Sequence, residues 1–194
     1  MTTLDNTVLD YVKNELAYTS MSHGKANISV DKTVLDLDIF RDVKKEIEYH
    51  LDDYLFHNIG IRKDLHDGFY ITRSWVNKMV KGNSAPNHSH TNSLFSGVLY
   101  LDMEENNSGG LLFTKPRNVP TISPQTFSFE CNWNNLNASV FTFTPNINSI
   151  VLFPSHSAHM VLEYTGNIPR YSLAFNVFYR GELGNSQEED YLEV

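Results

Sequence analysis

Apolar residues recur every four positions in the first third of the chain. The longest run comprises Leu35, Ile39, Val43, Ile47, Leu51 and Leu55. Charged residues fill the opposite side, so the pattern predicts an amphipathic helix over residues 35–55, capped by Asp36 or Asp38. A shorter run predicts a helix over residues 5–16, and the link over residues 19–31 is expected to be a loop or a short strand. We expect the two helices to support a core.

After residue 68 the pattern changes to short runs rich in aromatic and β-branched residues, with turn-forming residues between them. The predicted strands are residues 69–80, 94–101, 110–113, 126–130, 139–143, 149–153, 157–164 and 170–179. About eight strands in succession, with no helices between them, are typical of an antiparallel sandwich or jelly roll. The fold class predicted is therefore mainly β with flanking α-helices.

These patterns predict one domain with three parts. Residues 1–68 form a helical buttress, residues 69–180 form the β core, and residues 181–194 form an acidic tail that is exposed to solvent. A chain of 194 residues that is 41% hydrophobic can bury a sizeable core, which excludes a wholly disordered protein.

Charge and cysteine content narrow the classes of function. The formal net charge of -8 argues against a general nucleic-acid binder and against a binder of anionic membranes. The single cysteine, Cys131, excludes an internal disulfide framework. No apolar run approaches the length of a membrane span, and the first residues do not resemble a signal peptide. We therefore expect a soluble cytoplasmic protein.

The first chemical motif is a pair of histidines, His88 and His90. In an extended chain, residues two positions apart project from the same face, so both imidazoles reach one point. Imidazole is a good ligand for iron, zinc, copper and nickel. Two histidines alone more often belong to an ordinary polar loop than to a metal site, so a metal site needs further ligands.

The segment 153–159 offers those ligands as His156 and His159. His88, His90 and His159 together would cover one face of an octahedral metal and leave three positions open, as an oxygen-activating iron requires. Adding His156 would instead give a closed tetrahedral zinc site. Both arrangements remain open at this point.

Arg170 begins the last long predicted strand and is followed two positions later by Ser172. The two side chains share a face, and a guanidinium beside a hydroxyl is a good clamp for a carboxylate. The alternative is an arginine at the surface or rim of the sheet.

The order of these motifs resembles the small 2-oxoglutarate/Fe(II)-dependent oxygenases of bacteria and their phages, which are relatives of the prolyl-hydroxylase branch. The likeness covers residues 75–178. Its motifs are His88-x-His90, Ser96-Gly97-Val98-Leu99-Tyr100-Leu101, Gly109-Gly110-Leu111-Leu112-Phe113, Phe153-Pro154-Ser155 with His159, Arg170-x-Ser172 and Phe175-Asn176.

The resemblance implies a double-stranded β-helix with iron between its two sheets. It assigns the Fe(II) ligands, and hence the catalytic centre, to His88, His90 and His159. It also implies that Arg170 and Ser172 hold the distal carboxylate of 2-oxoglutarate, assisted by Tyr100.

One position departs from the family pattern, because His90 stands where Asp or Glu is usual. Three neutral imidazoles leave Fe(II) with its full double charge, which alters its redox tuning and metal preference. A second pairing, His90 with Asn92, ranks lower because an amide oxygen is a poorer iron ligand than imidazole.

The function implied is an enzyme that uses Fe(II), 2-oxoglutarate and O2. It would hydroxylate a peptide, a protein side chain or a small metabolite and release succinate and CO2. The alternatives are a non-catalytic zinc-binding jelly-roll module and a three-histidine cupin-type dioxygenase without 2-oxoglutarate. Only the first function requires the carboxylate clamp at Arg170 and Ser172.

Three further features receive structural interpretations. Trp75 is expected in the core, and the loop over residues 120–137, which contains Cys131 and Trp133, is expected to be a surface excursion. Asn176 either lines the pocket or satisfies backbone groups.

Overall fold

The computed structural model describes residues 5–21, 26–62, 68–105, 109–115, 138–183, 187, 189 and 191–193. The predicted strand over residues 126–130 and the loop with Cys131 and Trp133 lie outside the described residues. So do Glu188 and Asp190 of the predicted tail.

The N-terminal part is mainly helical. Helix α1 (Asn6–Asn14) is capped by Asp5, whose carboxylate accepts a hydrogen bond of 2.9 Å from the backbone N–H of Thr7. Two single-turn 3-10 helices (Val34–Asp36 and Asp38–Phe40) precede α2 (Arg41–Asp52), which continues into a π-helical turn (Asp53–Asn58). Within the described ranges, no helix has the length and apolar character needed to cross a membrane.

The single helix predicted over residues 35–55 is therefore divided. Leu37 has an extended conformation, with φ -72° and ψ 139°, so the α-helix begins only at Arg41. The predicted cap is wrong, because Asp36 forms an ion pair with Lys44 (2.8 Å) and Asp38 forms one with Arg41 (2.6 Å). The predicted run stays buried except at Ile39, which is 37% exposed, and the neighbouring Phe40 is buried instead.

The remainder of the described chain is mostly strands. They are β1 (Tyr18–Ser20), β2 (Asn27–Ser29), β3 (Gly68–Met79), β4 (Ala85–His88), β5 (Phe95–Asp102), β6 (Leu111–Thr114), β7 (Val140–Phe143), β8 (Ile150–Pro154), β9 (His159–Val161), β10 (Arg170–Arg180), β11 (Glu182–Leu183) and β12 (Leu192–Glu193). Strand β4 was not predicted, because Pro86 and Asn87 are poor strand formers. Strand β9 is shorter than the predicted 157–164.

Two antiparallel sheets face each other across a central cavity. The large sheet has the order β1-β2-β3-β10-β5-β8, and the small sheet has the order β4-β9-β6-β7. The short strands β11 and β12 pair with each other in the C-terminal segment. This arrangement confirms the predicted fold class, which is mainly β with flanking α-helices in a jelly roll.

The outer face of the large sheet carries the main hydrophobic core. Side chains that point outward from the sheet, such as Val76, Leu99 and Leu173, are buried against helical residues such as Phe40 and Ile47. Because successive side chains on a strand point to opposite faces, the alternate residues of the same strands point into the cavity. The division of the chain at residues 68 and 180 stays a prediction.

Replacing Ile47 by Ala tests whether the helical layer and the β core unfold as one domain. Ile47 is fully buried in the core that α2 shares with the large sheet, so its truncation should lower the free energy of unfolding by about 2–5 kcal/mol. Chemical denaturation followed by circular dichroism and by tryptophan fluorescence should show one transition, at a lower denaturant concentration.

Tyr49→Ala is the matched control, because Tyr49 lies on the same helix and is 70% exposed. It should change the unfolding free energy by less than about 0.5 kcal/mol. Two separate transitions, with only one of them shifted by Ile47→Ala, would contradict a single domain.

Candidate active site

Strand pairing in the small sheet brings three histidines together. His88 ends β4 and lies directly opposite His159, the first residue of β9, while His90 follows just after β4. The ring centroids are 4.4 Å apart for His88 and His159, 5.2 Å for His88 and His90, and 5.3 Å for His90 and His159. One ring nitrogen from each residue lies within 4.8 Å of the other two.

Backbone carbonyls orient two of the rings. Nδ1 of His159 donates to the carbonyl of Ser157, and Nδ1 of His88 donates to the carbonyl of Pro86, both at 2.8 Å. A carbonyl only accepts, so Nδ1 carries a proton in each ring, and Nε2 is the nitrogen that faces away from the backbone and is available to a metal. The backbone N–H of His90 donates to the Ser155 carbonyl at 2.9 Å, and this hydrogen bond holds the segment that contains His90.

Burial favours the uncharged form of two of the three histidines, His90 and His159. It lowers the pKa of His90 to about 4, and the adjacent His159 and His88 shift this pKa in the same direction. Burial also lowers the pKa of His159, against the effect of its hydrogen bond to the Ser157 carbonyl. Both imidazoles are therefore uncharged near neutral pH, which is the state that binds a metal. The imidazole nitrogens of the three histidines, gathered around one point, fit Fe(II) with further coordination positions open.

The two alternative ligands do not join this cluster. His156 is exposed and lies in a separate surface groove beside Phe113 and Phe141, so a closed four-histidine zinc site is wrong. Asn92 is also exposed, and it is His88 whose ring contacts His159.

The predicted carboxylate clamp is buried at the opposite end of the cavity. Arg170 is 2% exposed and Ser172 is 1% exposed, so the alternative of a rim arginine is wrong. Both side chains line the cavity from β10. Tyr100 lies directly opposite Ser172 on β5, and the guanidinium carbon of Arg170 is 5.1 Å from the centre of the Tyr100 ring.

Gly109 contributes to the clamp through its backbone. Nη1 of Arg170 donates to the Gly109 carbonyl at 2.8 Å. Gly109 has a φ of 57°, and a Cβ at this position would lie 2.9 Å from the Leu162 carbonyl oxygen and 3.3 Å from Nη1. A glycine is therefore required for both the backbone conformation and the close approach.

The hydroxyl of Tyr100 indicates what the clamp binds. Tyr100 is fully buried, and its hydroxyl has no hydrogen-bond partner among the described residues. Burial raises the pKa of Tyr100, with the Arg170 charge opposing, so the hydroxyl remains protonated and able to donate. Burial lowers the pKa of Arg170, but a guanidinium stays charged in proteins. A carboxylate would accept from both groups, so these residues fit one end of 2-oxoglutarate.

A single cavity connects the histidines to Arg170. Trp75 is half-buried in its wall, with its ring centroid 6.3 Å from that of His90, so the prediction that Trp75 belongs to the core is wrong. Asn176 also lines the cavity, which was one of its two predicted roles, and its side-chain oxygen accepts from the Ser96 hydroxyl at 3.0 Å.

Sequence reasoning missed Asn77 and Met79, which line the same wall as Trp75. The available signal was period-two spacing, because residues 75, 77 and 79 share one face of β3. The Gly109 carbonyl was missed because a backbone acceptor has no signature in the sequence beyond the glycine itself.

The comparisons with known proteins agree with this geometry. The family described as "Putative 2OG-Fe(II) oxygenase" matches residues 73–176, which is more than half of the chain and includes the three histidines and the clamp. No curated protein matches the sequence.

Solved structures with a similar fold include a 2OG-Fe(II) oxygenase family oxidoreductase from Burkholderia pseudomallei, with a TM-score of 0.60 at 16% identity over 89% of this chain and 77% of that chain. A Pseudomonas putida prolyl-4-hydroxylase has a TM-score of 0.56 at 16% identity over 91% and 84%. HygX from Streptomyces hygroscopicus, with nickel and 2-oxoglutarate bound, has a TM-score of 0.57 at 9% identity over 88% and 76%.

These structures confirm the double-stranded β-helix, and the family match confirms the resemblance inferred from the motifs. The chain belongs to the 2-oxoglutarate/Fe(II)-dependent oxygenases, a family of enzymes that use Fe(II) and 2-oxoglutarate.

Proposed function

We propose that this chain hydroxylates a carbon atom of an organic substrate. The observation that carries the proposal is one cavity with a three-histidine cluster at one end and a buried arginine at the other. When bound together, Fe(II) and 2-oxoglutarate supply the activation of O2. One oxygen atom converts the substrate C–H bond to C–OH, the other enters the new carboxylate of succinate, and C1 of 2-oxoglutarate leaves as CO2.

The histidines and the clamp have separate roles in this proposal. His88, His90 and His159 would hold Fe(II), and the carbonyl partners of His88 and His159 fix the tautomer that leaves Nε2 available. Arg170, Ser172 and Tyr100 would hold the distal carboxylate. Support for this comes from their common face, the burial of Arg170 and the unsatisfied Tyr100 hydroxyl.

His90 makes the charge of the proposed metal site unusual, because the family pattern has Asp or Glu at this position. With no carboxylate ligand, the metal would keep both positive charges, and Arg170 adds a third in the same cavity. Opposite charges attract more strongly where water is scarce. We therefore expect the dianion 2-oxoglutarate to be held mainly by this excess of positive charge.

Aromatic side chains would exclude water around the metal. The ring of Phe153 lies 4.8 Å from that of His159, and the ring of Phe113 lies 5.9 Å from it. A dry environment strengthens the electrostatic interactions and protects reactive species from side reactions.

The substrate is a peptide, a protein side chain or a small metabolite. A prolyl-4-hydroxylase among the similar structures supports the first two, and a similar structure with hygromycin B bound supports the third.

Arg170→Ala should weaken 2-oxoglutarate binding by about 100-fold, because it removes a buried charged partner of the distal carboxylate. The measurement is an anaerobic titration of the Fe(II) protein with 2-oxoglutarate, followed by the weak visible charge-transfer band that the complex should develop. Arg170→Lys keeps the charge but loses the planar fork, so its affinity should be intermediate. No band with the unmodified protein, or an unchanged affinity in Arg170→Ala, would contradict the clamp.

His159→Ala should weaken Fe(II) or Ni(II) binding by more than about 100-fold, since losing a direct ligand costs more than losing a residue that orients one. His156→Ala is the matched control, because His156 is close in sequence but outside the cluster. Metal content and affinity are measured by equilibrium dialysis and metal analysis. If the two variants lost metal equally, the ligand assignment would be wrong.

With Fe(II), 2-oxoglutarate, O2 and ascorbate, but no primary substrate, the protein should form succinate and CO2 slowly and in equal amounts, while ascorbate supplies the two electrons that reduce the second oxygen atom to water. His159→Ala should reduce this turnover to the rate of free Fe(II). The products are measured by mass spectrometry and by trapping of labelled CO2 from 2-oxoglutarate carrying the label at C1. Succinate without an equal amount of CO2, or the same rate in both proteins, would refute the proposed chemistry.

A further inference from the structure

Arg73 occupies the cavity face of the large sheet at the opposite end from Arg170. On β3 and β10, Met79 pairs with Arg170 at one end, and Arg73 pairs with Asn176 at the other. Residues directly opposite in an antiparallel pair point to the same face. Because Asn176 lines the cavity, the Arg73 side chain leaves the sheet on the cavity side.

The two arginines differ in their surroundings. Arg170 is buried, whereas Arg73 is exposed to solvent and lies just beyond the residues that line the cavity, next to Asn176. The Arg73 side chain forms no ion pair or hydrogen bond with any residue in the part of the chain that the structure describes. Its guanidinium is therefore available to a ligand.

The walls of the cavity provide no counter-charge. No Asp or Glu occurs among the described residues that line it, although the whole chain has a net charge of -8. The protein groups facing this space are imidazoles, amides, hydroxyls, apolar side chains and Arg170. An anion at the Arg73 end would meet positive charge and no nearby carboxylate of the wall.

The geometry points to Arg73 as a specificity-determining residue that binds an oxyanion, a carboxylate or a phosphate, on the primary substrate. This inference rests on the proposed function and names the substrate class for the same site. A guanidinium offers a planar fork that matches either group.

Trp75 sets the distance between the charged group and the reacting carbon. Trp75 is two residues along β3 from Arg73, a rise of about 6.7 Å, and its ring is 6.3 Å from His90. The substrate would lie across the indole with its oxyanion at Arg73. Its reacting carbon would be on the order of 10 Å away, near the histidines.

Binding of matched probes tests the inference without turnover. The protein is loaded with Zn(II) and saturated with 2-oxoglutarate, so that Arg170 is occupied. Binding of 4-phenylbutanoate, 4-phenylbutanamide and 4-phenylbutyl phosphate is then compared by saturation-transfer NMR titrations. One or both anions should bind about tenfold more tightly than the neutral amide, as expected for a charged hydrogen bond. The two anionic probes distinguish a carboxylate from a phosphate.

Variants assign the preference to Arg73. Arg73→Gln should reduce anion affinity to that of the amide, and Arg73→Glu should invert the preference towards 4-phenylbutylamine. Arg41→Gln is the control, because Arg41 is an exposed arginine of α2 that pairs with Asp38. It should leave the preference unchanged.

Three results would overturn the inference: equal affinity for the anions and the amide, no binding of any probe at millimolar concentration, or an anion preference that survives in Arg73→Gln. The proposed function is tested separately, by measuring the binding of 2-oxoglutarate to the same Zn(II) protein. Bound 2-oxoglutarate with no preference for anions would refute only the role of Arg73.

Discussion

The alternation of side chains along β10 is the constraint on which the rest of the structure depends. This strand lies in the middle of the large sheet, paired with β3 on one side and β5 on the other. Its odd-numbered residues from Tyr171 to Val177 are buried against the helical layer, while Arg170, Ser172, Ala174 and Asn176 line the cavity. A shift of one residue would exchange the two faces, placing a guanidinium in the apolar core and aromatic rings in the cavity. Packing of the helices and chemistry of the cavity therefore select the same register.

Burial of the Arg170 guanidinium is the step of this arrangement that costs the most free energy. Removing a guanidinium from water is unfavourable unless other groups replace its hydration. Arg170 receives part of that replacement from the Gly109 carbonyl and the face of the Tyr100 ring. The Tyr100 hydroxyl is left without a partner among the described residues. Such an arrangement is typical of a ligand-binding site, because a bound ligand supplies hydrogen-bond partners to buried polar groups that the folded protein leaves without them.

Much of the site follows from sequence because short-range spacing and strand alternation are local rules. Local spacing identifies side chains that the structure brings to one cavity, namely the pair His88 and His90 and the pair Arg170 and Ser172, and the order of the motifs does the same.

The pairing of strands that are far apart in the sequence is harder to predict. The contact of His88 with His159 depends on β4, whose proline and asparagine conceal a strand. The same limit explains Trp75, since its large apolar ring suggests a core position and only the register with β10 shows that it faces the cavity. The predicted helix over residues 35–55 was divided at Leu37 because the apolar spacing of four residues specifies a buried face but not continuous α-helical hydrogen bonding.

His88 lies where the proposed metal centre meets solvent. His159 is buried, but His88 is exposed and terminates β4, an edge strand of the small sheet. Of the three proposed ligands, His88 is therefore the one that can swing towards solvent once its hydrogen bond to the Pro86 carbonyl breaks, while the sheet behind it stays intact. Loading and exchange of the ion should proceed through this movable imidazole in a chain that is already folded. The empty form would then be a stable receptor for metal, and a chelator could strip the ion without unravelling the scaffold.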